Sequence, residues 1–94
     1  MDRLISRYKS QILQMAEKRG VRHVRLFGSM LGDDARIDSD VDLLVELEPG
    51  HSGVALGGFL MDVSELLGRK VDVVTEKALH PKIREAVLGE AKPL

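Results

Sequence analysis

The chain has 94 residues, enough for one domain with a modest core and too few for a separate substrate-recognition domain. Apolar residues make up 44% of it, and 14 Lys and Arg stand against 15 Asp and Glu for a net charge of −1, so the positive excess of a dedicated DNA- or RNA-binding module is absent. Cysteine is missing, which excludes disulfides and thiolate metal sites, and no apolar run reaches the roughly 20 residues that span a bilayer; the expectation is a cytoplasmic protein.

Residues 2–19 carry Leu4, Tyr8, Ile12, Met15 and Ala16 at helical spacing, and Gly20 follows as a stop. Val21 to Phe27 mixes apolar and basic residues and reads as a strand, which Gly28-Ser29 breaks. Residues 30–39 are polar, with no period after Leu31. Val41, Leu43, Val45 and Leu47 alternate with Asp42, Leu44 and Glu46, the pattern of a second strand. Pro49-Gly50 and Ser52-Gly53 mark a loop. Leu56, Phe59, Leu60, Val63, Leu66 and Leu67 form one stripe of a helix over 54–67, with Gly68 where a C-terminal cap belongs. Lys70 to Thr75 is a third short strand, with Val71 and Val73 opposite Asp72 and Val74. Pro81 occupies the first turn of a last helix running to about Ala91. The order helix, strand, strand, helix, strand, helix predicts one domain over residues 1–94. Its class is α/β or α+β, a small sheet covered by helices.

The informative segment is Gly28-Ser29, then ten residues, then Asp40-Val41-Asp42. Residues two apart in a strand share a face, so Asp40 and Asp42 project together. Two adjacent carboxylates repel unless positive charge lies between them, and hard divalent cations such as Mg²⁺ supply that charge and prefer oxygen ligands. Asp72 interrupts an otherwise apolar strand, and if that strand lies beside the second, Asp72 reaches the same point. Three such carboxylates can hold two metal ions about 4 Å apart, as in two-metal nucleotidyl transfer. One ion would lower the pKa of an attacking hydroxyl, with Asp72 the better candidate to contact it; the other would bind a triphosphate. Gly28 lets the backbone approach a phosphate closely, exposed N–H groups at the turn can bind its oxygens, and the Ser29 hydroxyl can donate once more. Each part alone is common at solvated turns and strand ends; the specificity lies in the three occurring in order.

Leu-Phe-Gly-Ser at 26–29, with Asp-Ser-Asp-Val-Asp-Leu-Leu-Val at 38–45, resembles the minimal nucleotidyltransferases of the DNA polymerase β superfamily. Gly-Arg-Lys-Val-Asp-Val-Val-Thr at 68–75 is similar to that family's third-carboxylate strand, and the segment around Pro81-Lys82-Ile83-Arg84 to its closing helix. The resemblance implies a nucleotidyltransferase fold with a small mixed sheet flanked by helices. It implies Asp40, Asp42 and Asp72 as catalytic metal ligands for two Mg²⁺ ions, and Gly28 and Ser29 as the contact to ATP. It further implies an antitoxin of the type VII toxin–antitoxin kind. Such an antitoxin pairs with a helical HEPN-domain toxin and transfers AMP to a toxin tyrosine. The alternative is an antitoxin that neutralises its partner by binding alone. One departure separates the chain from many members: they carry Arg-Ala-Arg-Gly after Gly-Ser, where this chain has Met30-Leu31-Gly32-Asp33. Arg36 or a partner residue is then expected to supply the missing positive charge.

The remaining polar residues read as structural. His23 is expected as a satisfied structural histidine, His51 as solvated and His80 as a helix-start residue; their scatter lacks metal-site spacing. Arg69 and Lys70 read as a solvated strand entry, Lys77, Lys82 and Arg84 as a solvated helix face, and Tyr8 as buried against the sheet.

Overall fold

The computed structural model describes residues 1–32 and 35–94. Helix α1 spans Arg3–Lys18, and Asp2 caps it by accepting from the Leu4 N–H at 2.9 Å. Strand β1, Val21–Phe27, leads into a single 3₁₀ turn over Gly28–Leu31, and β2 follows at Val41–Leu47. Helix α2, Gly53–Leu67, starts on the Ser52 hydroxyl and ends on Gly68, whose φ of +63° is the left-handed cap its position predicts. Strand β3 is Val71–Thr75, a short 3₁₀ turn covers Glu76–Ala78, and α3 runs Pro81–Glu90. His80 accepts from the Lys82 N–H through Nδ1 at 3.1 Å, so it does start the last helix.

The sheet has the order β3-β2-β1-β4, where β4 is Lys92–Pro93. Strands β2 and β3 are parallel and joined by α2; β1 is antiparallel to both of its neighbours. The sheet is therefore mixed, as expected, with one strand more than the sequence predicts. Two residues ending in proline show no alternation, and proline is at home on an edge because it has no N–H to donate.

Helices α1 and α2 cover one face. Ile5, Ile12 and Ala16 meet Val41, Leu43 and Val45 of β2 and Phe59, Val63 and Leu67 of α2. Alternation turns Asp42, Leu44 and Glu46 to the other face, where Leu44 is buried with Leu79 and Val87, flanked by Phe27, Val74 and Leu88. Helix α3 thus packs on that face through Val87 and Leu88.

Strand β1 has no clean alternation because it carries a bulge. Its pairing slips between Arg22 and Arg25, so His23 and Val24 together face Val45. His23 takes the extra position at a φ of +56°, which lets Val21 and Val24, three apart, both enter the core. His23 is not the satisfied structural histidine its sequence context predicts: its side chain is 63% exposed, with Glu46 3.7 Å away. Tyr8 is half-buried against the core, with the Arg7 guanidinium 5.5 Å from its ring centre.

Candidate active site

Asp42 is the second residue of β2 and Asp72 the second of β3. The parallel register sets them side by side, about 4.8 Å apart along the backbone. Both carboxylates project from the face opposite α1 and α2, where Glu90 at the end of α3 also acts on Asp42. Asp72 is exposed on an edge strand, whereas Asp42 is half-buried. Burial holds the Asp42 carboxyl above its ordinary range, and the negative charges of Asp72, Asp40 and Glu90 push it the same way; only Lys70 opposes them. The Lys70 ammonium lies 3.8 Å from Asp40. Asp40, just before β2, and Asp72 therefore act on one half-buried carboxylate, as the two-strand arrangement requires.

Gly28 closes the cluster on the β1 side. Its φ is +77°, and a Cβ placed there would stand 2.5 Å from Asp42 Oδ2. Any side chain would be strained by the backbone and would strike the carboxylate as well. The Gly28 N–H donates to Glu90 Oε1 at 3.1 Å. Ser29, next in the turn, is exposed.

The approach to Asp40 is held by Arg69, which is not the solvated strand entry its sequence context predicts. It donates from Nη1 to the carbonyls of Arg36 at 3.2 Å and Ser39 at 3.0 Å. Ser39 ties the same turn, its hydroxyl accepting from the Arg36 N–H at 2.9 Å and its own N–H donating to the Arg36 carbonyl at 3.0 Å. Val41 N–H donates to the Lys70 carbonyl at 2.9 Å and joins the turn to the start of β3. Residues 69 and 70 thus brace the loop that delivers the first aspartate. Their position just ahead of Asp72 was the one available signal.

The departure after Gly-Ser has a structural counterpart. Met30 is fully buried in the main core, and Leu31 packs against that core. A side chain at 30 points inward, away from any phosphate at the turn. Asp33 lies outside the described residues, and Arg36, expected as a compensating cation, is exposed.

The donor set consists of oxygen ligands only, mutually repelling and short of positive charge, which suits a hard divalent cation. Among the described residues, no three His, Cys, Asp or Glu side chains converge to cage an ion. A cleft lies elsewhere. About 420 Å³ opens at the opposite ends of β2 and β3, lined by Arg22, Glu46, Thr75, Glu76 and Lys77 among others. It contains none of the cluster's aspartates, and its two acids and two bases balance.

Residues 8–94 match the family model described as a nucleotidyltransferase domain. Among curated proteins the chain is similar to "Protein adenylyltransferase MntA" of Thermococcus cleftensis, 36% identical over 77 residues that cover 82% of this chain and 78% of the relative. A solved structure described as a "putative minimal nucleotidyltransferase" superposes with a TM-score of 0.86 at 39% identity, covering 100% of this chain and 97% of the other. A toxin–antitoxin crystal structure with AMP-PNP shares the fold, with a TM-score of 0.74 at 18% identity over 90% of this chain and 70% of its own.

Proposed function

We propose that this chain, which belongs to the nucleotidyltransferase domain family, transfers AMP from ATP to a hydroxyl on a folded partner, a tyrosine of a helical HEPN-type toxin. The observation that carries the reading is the side-by-side register of Asp42 and Asp72, with Asp40 and Gly28 pressed around Asp42. In the transfer, the acceptor oxygen forms a bond to the α-phosphorus, the bond from that phosphorus to the β-bridging oxygen breaks, and pyrophosphate leaves. Asp72, exposed on the edge strand, stands where an acceptor on another protein can approach, and its carboxylate can take the hydroxyl proton. Gly28 brings backbone close to the triphosphate, and the exposed Ser29 hydroxyl adds a donor.

Asp40, Asp42 and Asp72 would hold Mg²⁺ once the ion draws together side chains that do not converge here, and its charge would offset both the carboxylates and the phosphates. The similar protein adenylyltransferase, and the toxin–antitoxin structure that shares the fold, support a protein partner. No helix among the described residues is long and apolar enough to cross a membrane, and the reading places the protein in the cytoplasm, where ATP is available.

Incubation with α-labelled ATP, Mg²⁺ and a candidate helical partner should label the partner, and Asp40→Asn with Asp42→Asn should abolish labelling. Equal labelling by that double variant would remove the transferase reading. A second reading, neutralisation by binding alone, is favoured by the inward turn of Met30, which leaves position 30 unable to offer a cation to a phosphate. It predicts that the double variant still neutralises the toxin.

A further inference from the structure

Glu90 is a fourth carboxylate at the site, delivered from the far side of β1 by the C-terminal segment. Strand β4 pairs with β1 through Arg25 with Pro93 and Leu26 with Lys92, and the Leu94 N–H donates to the Val24 carbonyl at 3.0 Å. Carried two residues further, that antiparallel register sets residue 90 across from Gly28. The Gly28 N–H is therefore donated to the Glu90 carboxylate, at 3.1 Å, while Asp42 crowds the glycine from the other side.

This placement is unfavourable on two counts. Glu90 is the last residue of α3, where the helix dipole disfavours an anion, and its charge adds to those already raising the Asp42 carboxyl. An anion kept there despite both penalties occupies the N–H that the proposed reaction needs for a phosphate oxygen.

We propose that Glu90 is a resident competitor for the nucleotide: its carboxylate fills the Gly28 phosphate position and must swing out before a triphosphate can settle. The inference rests on the nucleotidyl-transfer reading and adds to it a residue that sets nucleotide affinity. Glu90 is exposed at the end of its helix, so its side chain can leave without disturbing the core. A partner that drew the carboxylate away would raise nucleotide affinity without touching the aspartates.

The test is AMP-PNP binding in Mg²⁺ by calorimetry, with wild type, Glu90→Ala, Glu90→Gln and Glu85→Ala. Glu85 is an exposed carboxylate earlier on α3 and reports the general effect of lost charge. Glu90→Ala should tighten binding by about three- to ten-fold, the range expected when a charge-assisted hydrogen bond at the surface no longer competes. Glu90→Gln should give a smaller gain and Glu85→Ala less than about two-fold. Without nucleotide, the Gly28 amide proton should move upfield in Glu90→Ala by NMR. Unchanged or weaker affinity in Glu90→Ala, with measurable wild-type binding, overturns the competitor and leaves the transferase reading standing. An equal gain from Glu85→Ala overturns it too, as a field effect. Absence of binding in all four overturns both readings.

Discussion

Replacing Gly28 by alanine should damage the fold and the site together, and the two parts can be separated. At φ +77° an L-residue pays for the left-handed backbone, about 1–2 kcal/mol. The added Cβ would also stand 2.5 Å from Asp42 Oδ2, forcing that carboxylate out of its rotamer at roughly 0.5–1.5 kcal/mol. The sum is about 1.5–3.5 kcal/mol. For a chain of this size, whose whole stability is on the order of 5–14 kcal/mol, that lowers Tm by roughly 6–28 °C. Gly68 supplies the control: its φ is +63°, yet a Cβ there meets nothing within 4 Å. Gly68→Ala should therefore lose only the backbone part, about 1–2 kcal/mol. Urea denaturation of both variants, of Asp42→Ala, and of Gly28→Ala combined with Asp42→Ala completes the cycle. The double variant should recover about 1 kcal/mol of coupling between the two positions. If Gly28→Ala is no worse than Gly68→Ala, or the coupling is absent, the close packing of Gly28 on Asp42 is wrong.

Four further outcomes follow from the same geometry. Asp42→Asn should abolish transfer, by at least about a hundred-fold, while raising stability in EDTA by up to about 1 kcal/mol, because a repelled half-buried charge is gone; urea midpoints and α-labelled ATP measure the two. Because the Asp42 carboxyl titrates above its ordinary range when folded, the folded state holds that proton more tightly than the unfolded chain does. In EDTA the penalty is therefore full at neutral pH, shrinks as pH falls through the raised pKa and is gone below the ordinary one; the difference between wild type and Asp42→Asn, followed from pH 7 to 4, should show this slope. Arg69→Ala should unfasten the turn at 36–39 and cut transfer roughly ten-fold with a stability loss near 1 kcal/mol; Arg69→Lys should rescue poorly, because one ammonium must replace a donor shared by two carbonyls. Met30→Arg, which restores the first residue of the common family motif, should cost about 2 kcal/mol or more by thermal melting, since the position is fully buried.

The order of elements was legible because each leaves a local mark. The α2 stripe with Gly68 at its end, the β2 alternation and Pro81 at the start of α3 are all set by nearest neighbours along the chain. The aspartates were legible for a similar reason: an acid in an apolar strand stands out, and strand alternation says which way it faces. What escaped was whatever depends on partners distant in sequence. The β4 pairing needs β1 as its template, and the His23 bulge shows only when β1 is laid against β2. Arg69 looked solvated because its acceptors are backbone carbonyls some thirty residues earlier, which no side-chain pattern reveals.

From its residues alone this protein's three α-helices, its three longer strands and the acidic character of one sheet end were determined, because spacing and side-chain chemistry are local properties. Only the tertiary structure decided that Met30 faces inward and that Glu90 stands on the Gly28 amide. Both depend on the three-dimensional path of the backbone, which brings positions 28 and 90 together across an antiparallel pairing that neither segment encodes by itself.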